Sequence, residues 1–208
     1  MSAREIDSGA GCPQIGRRAL LLSLAALPLA APLSAAPVRY RLDQSASSVG
    51  FFFTLSGSAQ KGTMPIRSAD IVIDTANLTR SRADVTLDVA RARTNLVFAR
   101  TAMLGPDVLD ARRFPTIRFT STRVQLGPGG RLSDGARITG DLTVRDVTRP
   151  VVLEASLFRR RGSAADDLSE LSFRLRGAIS RRAFGASGYR DLVRDAVTLD
   201  IRAVIRQA

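Results

Sequence analysis

The side chains that most often carry chemistry are nearly missing from this sequence. Its 208 residues include no histidine and a single cysteine, Cys12. Without histidine there is no ordinary general base near neutral pH, and no Ser–His–Asp or Cys–His pair can form. One cysteine permits no disulfide within the chain and no Cys/His zinc site. Carboxylates such as Asp107 and Asp110 are present, but they read as loop and cap residues with no partner base. No catalytic residue, no metal ligand and no cofactor are therefore expected, and the chain is not expected to be an enzyme. The chemistry left to it is burial of apolar groups. Aliphatic and Phe side chains recur at every second position through most of the chain, as in Val49, Phe51, Phe53 and Leu55.

Charge points to partners without naming one. Thirty-one basic residues oppose nineteen acidic ones, a net charge of +12, and every basic residue except Lys61 is Arg. Many of these Arg residues alternate with apolar ones, as Arg174 and Arg176 do. That places them on a solvated outer face, or on a surface that attracts anionic lipid headgroups or a diphosphate. No nucleic-acid-reading module is recognisable and Trp is absent, so nucleic acid is not the expected partner.

The elements that would position the apolar set are strands. Period-two alternation is clearest in residues 47–55, in Val85, Leu87 and Val89, and in Ile117 and Phe119 against Arg118 and Thr120. It returns in Leu171, Phe173, Leu175, Gly177 and Ile179, and again in Val197, Leu199, Ile201, Ala203 and Ile205. Shorter strands are expected at 40–42, 60–64 and 69–74. The segment from Gly140 to Leu153 reads as an antiparallel hairpin. Leu142 and Val144 precede a polar link from Arg145 to Pro150, with the reversal at Asp146 and Pro150 at a strand start.

One segment breaks the pattern. From Asn95 to Leu104 the apolar residues Leu96, Ala99 and Met103 fall on one helical face. Thr94 or Asn95 is the expected N-cap and Gly105-Pro106 the stop, with a short turn at 107–111 to follow. This insert is expected to pack across one end of the fold, with Phe98 on its inner side.

About eight or nine sequential strands with short turns and one short helical insert imply an all-β fold. Each amphipathic strand must bury one face, and an antiparallel sheet closed into a barrel does so while removing its edges. Eight strands leave an interior that side chains can fill or that can hold one small ligand. Periodicity does not distinguish these two interiors.

The N-terminus reads differently. Arg17 and Arg18 precede an apolar run from Ala19 to Ala31, too short to span a bilayer and interrupted by Pro28. Small residues follow at Ser34, Ala35 and Ala36. Residues 1–35 are expected to be a secretory signal peptide, with the paired arginines matching the twin-arginine type. Residues 36–208 would then be the mature barrel domain, and its location periplasmic.

Several motifs also resemble a known family. Leu142 to Leu153, LTVRDVTRPVVL, resembles the LT-x-R-G-VT-x-PV segment of the YceI-like polyisoprenoid-binding family, with Asp146 where that family usually has Gly. Ser48-Val49-Gly50-Phe51 followed by Lys61-Gly62, the segment VLDARRFPTIRF from Val108 to Phe119, and Ser180-Arg181 with Phe184-Gly185 resemble further motifs in the same order. Leu55 stands near the place where many members carry His. The resemblance spans Val38 to Arg206 and implies a lipocalin-like β-barrel, secreted or periplasmic, that holds a long isoprenoid chain in an apolar tunnel. The lining it implies comprises Phe51, Phe53, Leu87, Ile117, Phe119, Leu142, Phe173, Leu175, Leu199 and Ile201, with Phe98 from the insert. The partner implied is a long-chain isoprenoid or other lipid, of quinone or prenyl type. The alternative it implies is an accessory subunit that contacts a membrane b-type cytochrome or the membrane surface.

Overall fold

The computed structural model describes residues 37–130, 134–158, 162, 164 and 167–208. The expected export segment and most of the 159–167 connection lie outside them. Among the described residues the chain forms β1 (Val38–Leu42), β2 (Ser48–Leu55), β3 (Ser58–Met64), β4 (Ile66–Ile73), β5 (Arg82–Asp88) and β6 (Arg93–Thr94). The helix α1 (Val97–Leu104) follows, then β7 (Thr116–Leu126), β8 (Ala136–Val144), β9 (Val147–Phe158), β10 (Glu170–Ser180) and β11 (Ala196–Gln207). Short 3-10 turns occupy Leu78–Arg80 and Arg182–Phe184.

These segments make eight staves. β1 and β2 lie end to end along one edge of β11, with Leu42 opposite Ile205 and Ser48 opposite Arg202. β3 and β4 lie end to end beside them, broken at Pro65, whose missing N–H suits an interruption in a ladder. Counting each of these pairs as one stave, the order is β1/β2, β3/β4, β5, β7, β8, β9, β10, β11, and β11 closes back onto β1 and β2. Every pairing among the described residues is antiparallel, and apart from the closure by β11 each joins staves adjacent in sequence. The result is a closed up-and-down barrel. Among the described residues the one strand added to the ring is β6, which pairs with β3 at Gly62 and Thr63.

Turn chemistry sets the registers. Ser56 (φ 49°) and Gly57 (φ 82°) join β2 to β3, with Leu55 paired to Ser58. Two central residues at positive φ are the pattern of a type I′ hairpin, which matches strand twist. The β8–β9 hairpin is tighter than expected. Val144 pairs with Val147, so the link is two residues and not six, and Pro150 lies inside β9 opposite Asp141. β10 pairs with β9 only from Glu154 onward, so Pro150 sits where one neighbour suffices. Nor does Asp146 carry the left-handed conformation; Arg145 does, at φ 58°. Its guanidinium donates to the carbonyls of Val108 (3.3 Å) and Gly185 (3.0 Å) and lies over the Phe114 ring, holding the backbone there.

The helix also begins later than its apolar spacing implies. Its N-cap is Leu96, with no side-chain cap. Thr94 is held in β6, and the Asn95 amide donates to the Lys61 carbonyl, so the chain remains extended to that point. The Thr94 hydroxyl donates to the Leu96 carbonyl, and the Asn95 side chain donates to Gln60.

Outward positions carry charge in cross-strand pairs. Arg118 binds Asp84, Arg137 binds Glu154, Arg174 binds Asp200, and Arg206 binds Glu170 and Asp43. The alternating Arg residues of the barrel flank are thus a solvated face, ion-paired in part. Exposed pairs of this kind contribute up to about 1 kcal/mol each.

Candidate functional site

Inward-facing residues surround a cavity of about 460 Å³. β2 contributes Val49, Phe51, Phe53 and Leu55; β5 contributes Ala83, Val85 and Leu87; β7 contributes Ile117 and Phe119. Leu142 comes from β8, Phe173 and Leu175 from β10, and Leu199 and Ile201 from β11. The ten strand residues expected to face a tunnel therefore stand together around one space, and Phe98 of α1 joins them at its edge.

The interior is hollow and not packed. Phe51, Phe53, Leu87, Phe119, Phe173, Leu175, Leu199 and Ile201 are only half-buried although they point inward. Among the described residues, buried side chains gather in two clusters, with a few more, such as Val49, Leu153 and Ala155, along the wall. Tyr40, Ile71, Leu171 and Ile205 close the end away from α1, where the Tyr40 hydroxyl donates to the Leu168 carbonyl at 2.8 Å. Met64, Val89, Ala92, Ile117, Leu142, Val144, Val151 and Phe184 close part of the α1 end, with Met103, Leu104 and Leu109 packed on them. The Asp107 carbonyl accepts from the Gly188 amide at 2.8 Å, and the Asp110 carboxylate pairs with Arg113, so both residues hold loops.

Between the clusters the space is elongated. β11 lines it from Val197 to Ile205. Those eight steps are about 26 Å of strand, or roughly 20 Å along the axis of a tilted barrel. The wall is almost all carbon, with few polar side chains in it, among them Ser81, Ser121 and Arg181. Both serine hydroxyls already accept backbone amides, Ser81 from Asp74 and Ser121 from Ala83. A carbon-lined space of this size offers water few partners and suits an apolar guest.

Two bulges keep the wall apolar. Thr122 is an extra residue between Ser121 and Arg123, which returns Val124 to the interior. Arg67 does the same in β4, so that Ile66 and Ile71 both face in. The change of apolar parity along each stretch is the trace these bulges leave in the sequence.

The mouth lies between α1, the β2–β3 turn and the loop 186–193. Phe98, Tyr189 and Leu192 line the cavity and are exposed to solvent, which locates the opening. Tyr189 and Leu192 lie in a segment without periodicity, and alternation could not have found them. What fixes this loop is Arg181. It is 7 % exposed, and it donates to the carbonyls of Arg194 (3.2 Å), Ala186 (2.6 Å) and Val193 (3.0 Å). Burial pushes its pKa down, opposed by the nearby charge of Asp195. The Ser56 amide donates to Leu192 and the Arg194 amide to Thr54, tying the loop to β2 as well.

A barrel closed in this order, with an apolar interior and the four ordered motifs on its strands and turns, corresponds to a known family. A family model described as a YceI-like domain matches residues 40–205. The chain belongs to the YceI-like family. It is 29 % identical over 142 residues to a UPF0312 protein of Vibrio vulnificus, covering 67 % of this chain and 73 % of that protein. It is 30 % identical over 127 residues to Protein YceI of Escherichia coli O157:H7, covering 60 % of this chain and 64 % of that one. Among solved structures, BcnA of Burkholderia cenocepacia superimposes with a TM-score of 0.68 at 21 % identity, covering 78 % of this chain and 98 % of that one. A polyisoprenoid binding domain from Saccharophagus degradans, implicated in plant cell wall breakdown, superimposes with a TM-score of 0.59 at 12 % identity, covering 82 % and 99 %. At these identities the two structures establish a shared fold. This YceI-like barrel sets inward Phe and aliphatic side chains around an open interior.

Proposed function

We propose that this protein is a non-enzymatic binding protein that holds an isoprenoid or other long-chain lipid, of quinone or prenyl type, inside its barrel. The observation that carries the reading is the elongated, carbon-lined cavity of about 460 Å³, with half-buried Phe and aliphatic residues facing it. Each methylene moved from water into such a space contributes about 0.8 kcal/mol. A prenyl chain filling it is held without any polar contact. The polyisoprenoid-binding description of the Saccharophagus degradans domain supports the ligand class. Residues 1–35 are proposed to be an export signal, which would place the carrier in the periplasm.

Native mass spectrometry after gentle purification tests the binding role. A co-purified lipid of isoprenoid or acyl mass is expected, released on denaturation. A protein recovered bare that also refuses added prenyl lipids overturns the proposal. N-terminal sequencing of the accumulated protein tests the export signal, with cleavage expected near Ala35.

A further inference from the structure

We infer that the cavity mouth is a docking face for an anionic lipid bilayer, which the barrel meets mouth-first. The inference rests on the lipid-binding reading and adds the surface with which the lipid is exchanged. Six large apolar side chains are exposed among the described residues. Four of them gather at the mouth: Val97 (84 % exposed) and Phe98 (64 %) on α1, and Tyr189 (47 %) and Leu192 (52 %) on the facing loop. Phe98 and Tyr189 also share a smaller cleft beside it. Single exposed apolar residues are ordinary, whereas a cluster around an opening marks an interaction site.

Charge selects the partner. On the barrel flank, Arg118, Arg137, Arg174 and Arg206 are paired with carboxylates, while Arg41, Arg67 and Arg123 are exposed with no ion pair among the described residues. The mouth is set apart by having such cations beside an exposed apolar patch. Near the mouth, Lys61, Arg93, Arg190 and Arg194 are exposed and none makes an ion pair among the described residues. Two exposed acids, Asp107 and Asp191, lie on the same segments. An apolar patch edged by unpaired cations matches a bilayer whose headgroups are negative and whose interior is hydrocarbon. Tyr189 has the amphipathic ring that settles at such an interface. A second copy of the chain fits poorly, because it would set the same unpaired cations against each other. With the mouth seated in a bilayer, a chain can pass between membrane and cavity without crossing water.

Vesicle flotation tests this, using the protein as the cell accumulates it. Vesicles of phosphatidylglycerol with phosphatidylethanolamine are compared with pure phosphatidylcholine. Binding to the anionic vesicles is expected to be at least tenfold tighter and to weaken in high salt. Val97→Asp places a charge on a residue that does not line the cavity, and Arg93→Gln with Arg190→Gln removes two unpaired cations. Each variant is expected to lose tenfold or more of anionic-vesicle binding. Melting temperature and uptake of a soluble fluorescent prenyl probe, without vesicles, are expected to stay unchanged. Failure of probe uptake in the native protein would count against lipid binding itself. Normal uptake with no vesicle binding, or with equal binding by Val97→Asp, overturns the docking face. A concentration-dependent dimer lost in Val97→Asp, without vesicle binding, would assign the mouth to a second copy and overturn it too.

Discussion

The ring of Phe51 lies flat over Gly62 on the neighbouring strand, so that a Cβ on Gly62 would stand 2.1 Å from the ring Cζ. Phe119 lies in the same way over Gly140, where a Cβ would stand 2.4 Å from its ring. In both cases an inward aromatic covers a glycine on the adjacent stave. The missing side chain lets the ring fold against the wall, and the centre of the barrel stays open.

Gly62→Ala is therefore expected to narrow the cavity. The three nearest atoms to the added methyl all belong to the Phe51 ring, which has hollow space to swing into. The stability loss should be modest, about 1 kcal/mol. Affinity for a long-chain lipid should fall much more than affinity for a short one. Chain-length profiles of lipid binding check this, and an unchanged profile would mean that the ring does not move inward.

Phe98→Ala separates a lid from a plug. Loss of a core Phe typically costs roughly 3–5 kcal/mol. Phe98 is largely exposed, so delipidated stability should change by no more than about 1 kcal/mol while lipid affinity falls. Chemical denaturation and lipid titration of the same variant give both quantities. A large stability loss with unchanged affinity would reject the role.

Phe184→Ala is the contrasting case. Phe184 is 3 % exposed within the cluster that closes part of the α1 end. Its truncation should cost about 3–5 kcal/mol with or without lipid. Denaturant midpoints in the two states should shift together.

Arg181→Met should free the mouth loop. It strips donors from the carbonyls of Ala186, Val193 and Arg194, and each buried carbonyl left unpaired costs about 1–3 kcal/mol. Hydrogen exchange should quicken at the amides of Gly188 and Arg194, which tie the loop to its neighbours. Unchanged exchange there would show that the other contacts of the loop suffice.

Acid should weaken the barrel through its outer pairs. Asp84 and Asp200 lie below the usual aspartate pKa of 3.8, chiefly because Arg118 and Arg174 hydrogen-bond their carboxylates. Asp195 is lowered chiefly by the Ser180 hydroxyl. A group with a depressed pKa in the folded state adds stability above its unfolded value, and that stability is lost as pH falls through the folded value. Melting temperature should therefore drop as pH falls below about 4, with little change between about pH 5 and 8. Asp84→Asn and Asp200→Asn together should flatten the acid limb, as thermal melts across pH would show.

The sequence alone determined the architecture and the sidedness of the wall. Strict alternation in 49–55, 171–179 and 197–205 fixes which side chains share a face, and short polar links allow only neighbouring antiparallel pairs. The family motifs from Ser48 to Gly185 were equally legible. The tertiary structure decided what local patterns cannot encode. Whether Phe51 and Phe119 fill the barrel or line a hollow depends on glycines across the strand, at positions that only pairing reveals. Val124 and Ile66 join the wall through bulges that shift parity. The late start of α1 comes from a ladder contact between β6 and β3 that overrides its apolar spacing. The mouth needed closure of the whole ring. Tyr189 and Leu192 follow no period and are brought to the mouth by tertiary ties, among them the three carbonyls bound by Arg181 and the Gly188 amide on Asp107.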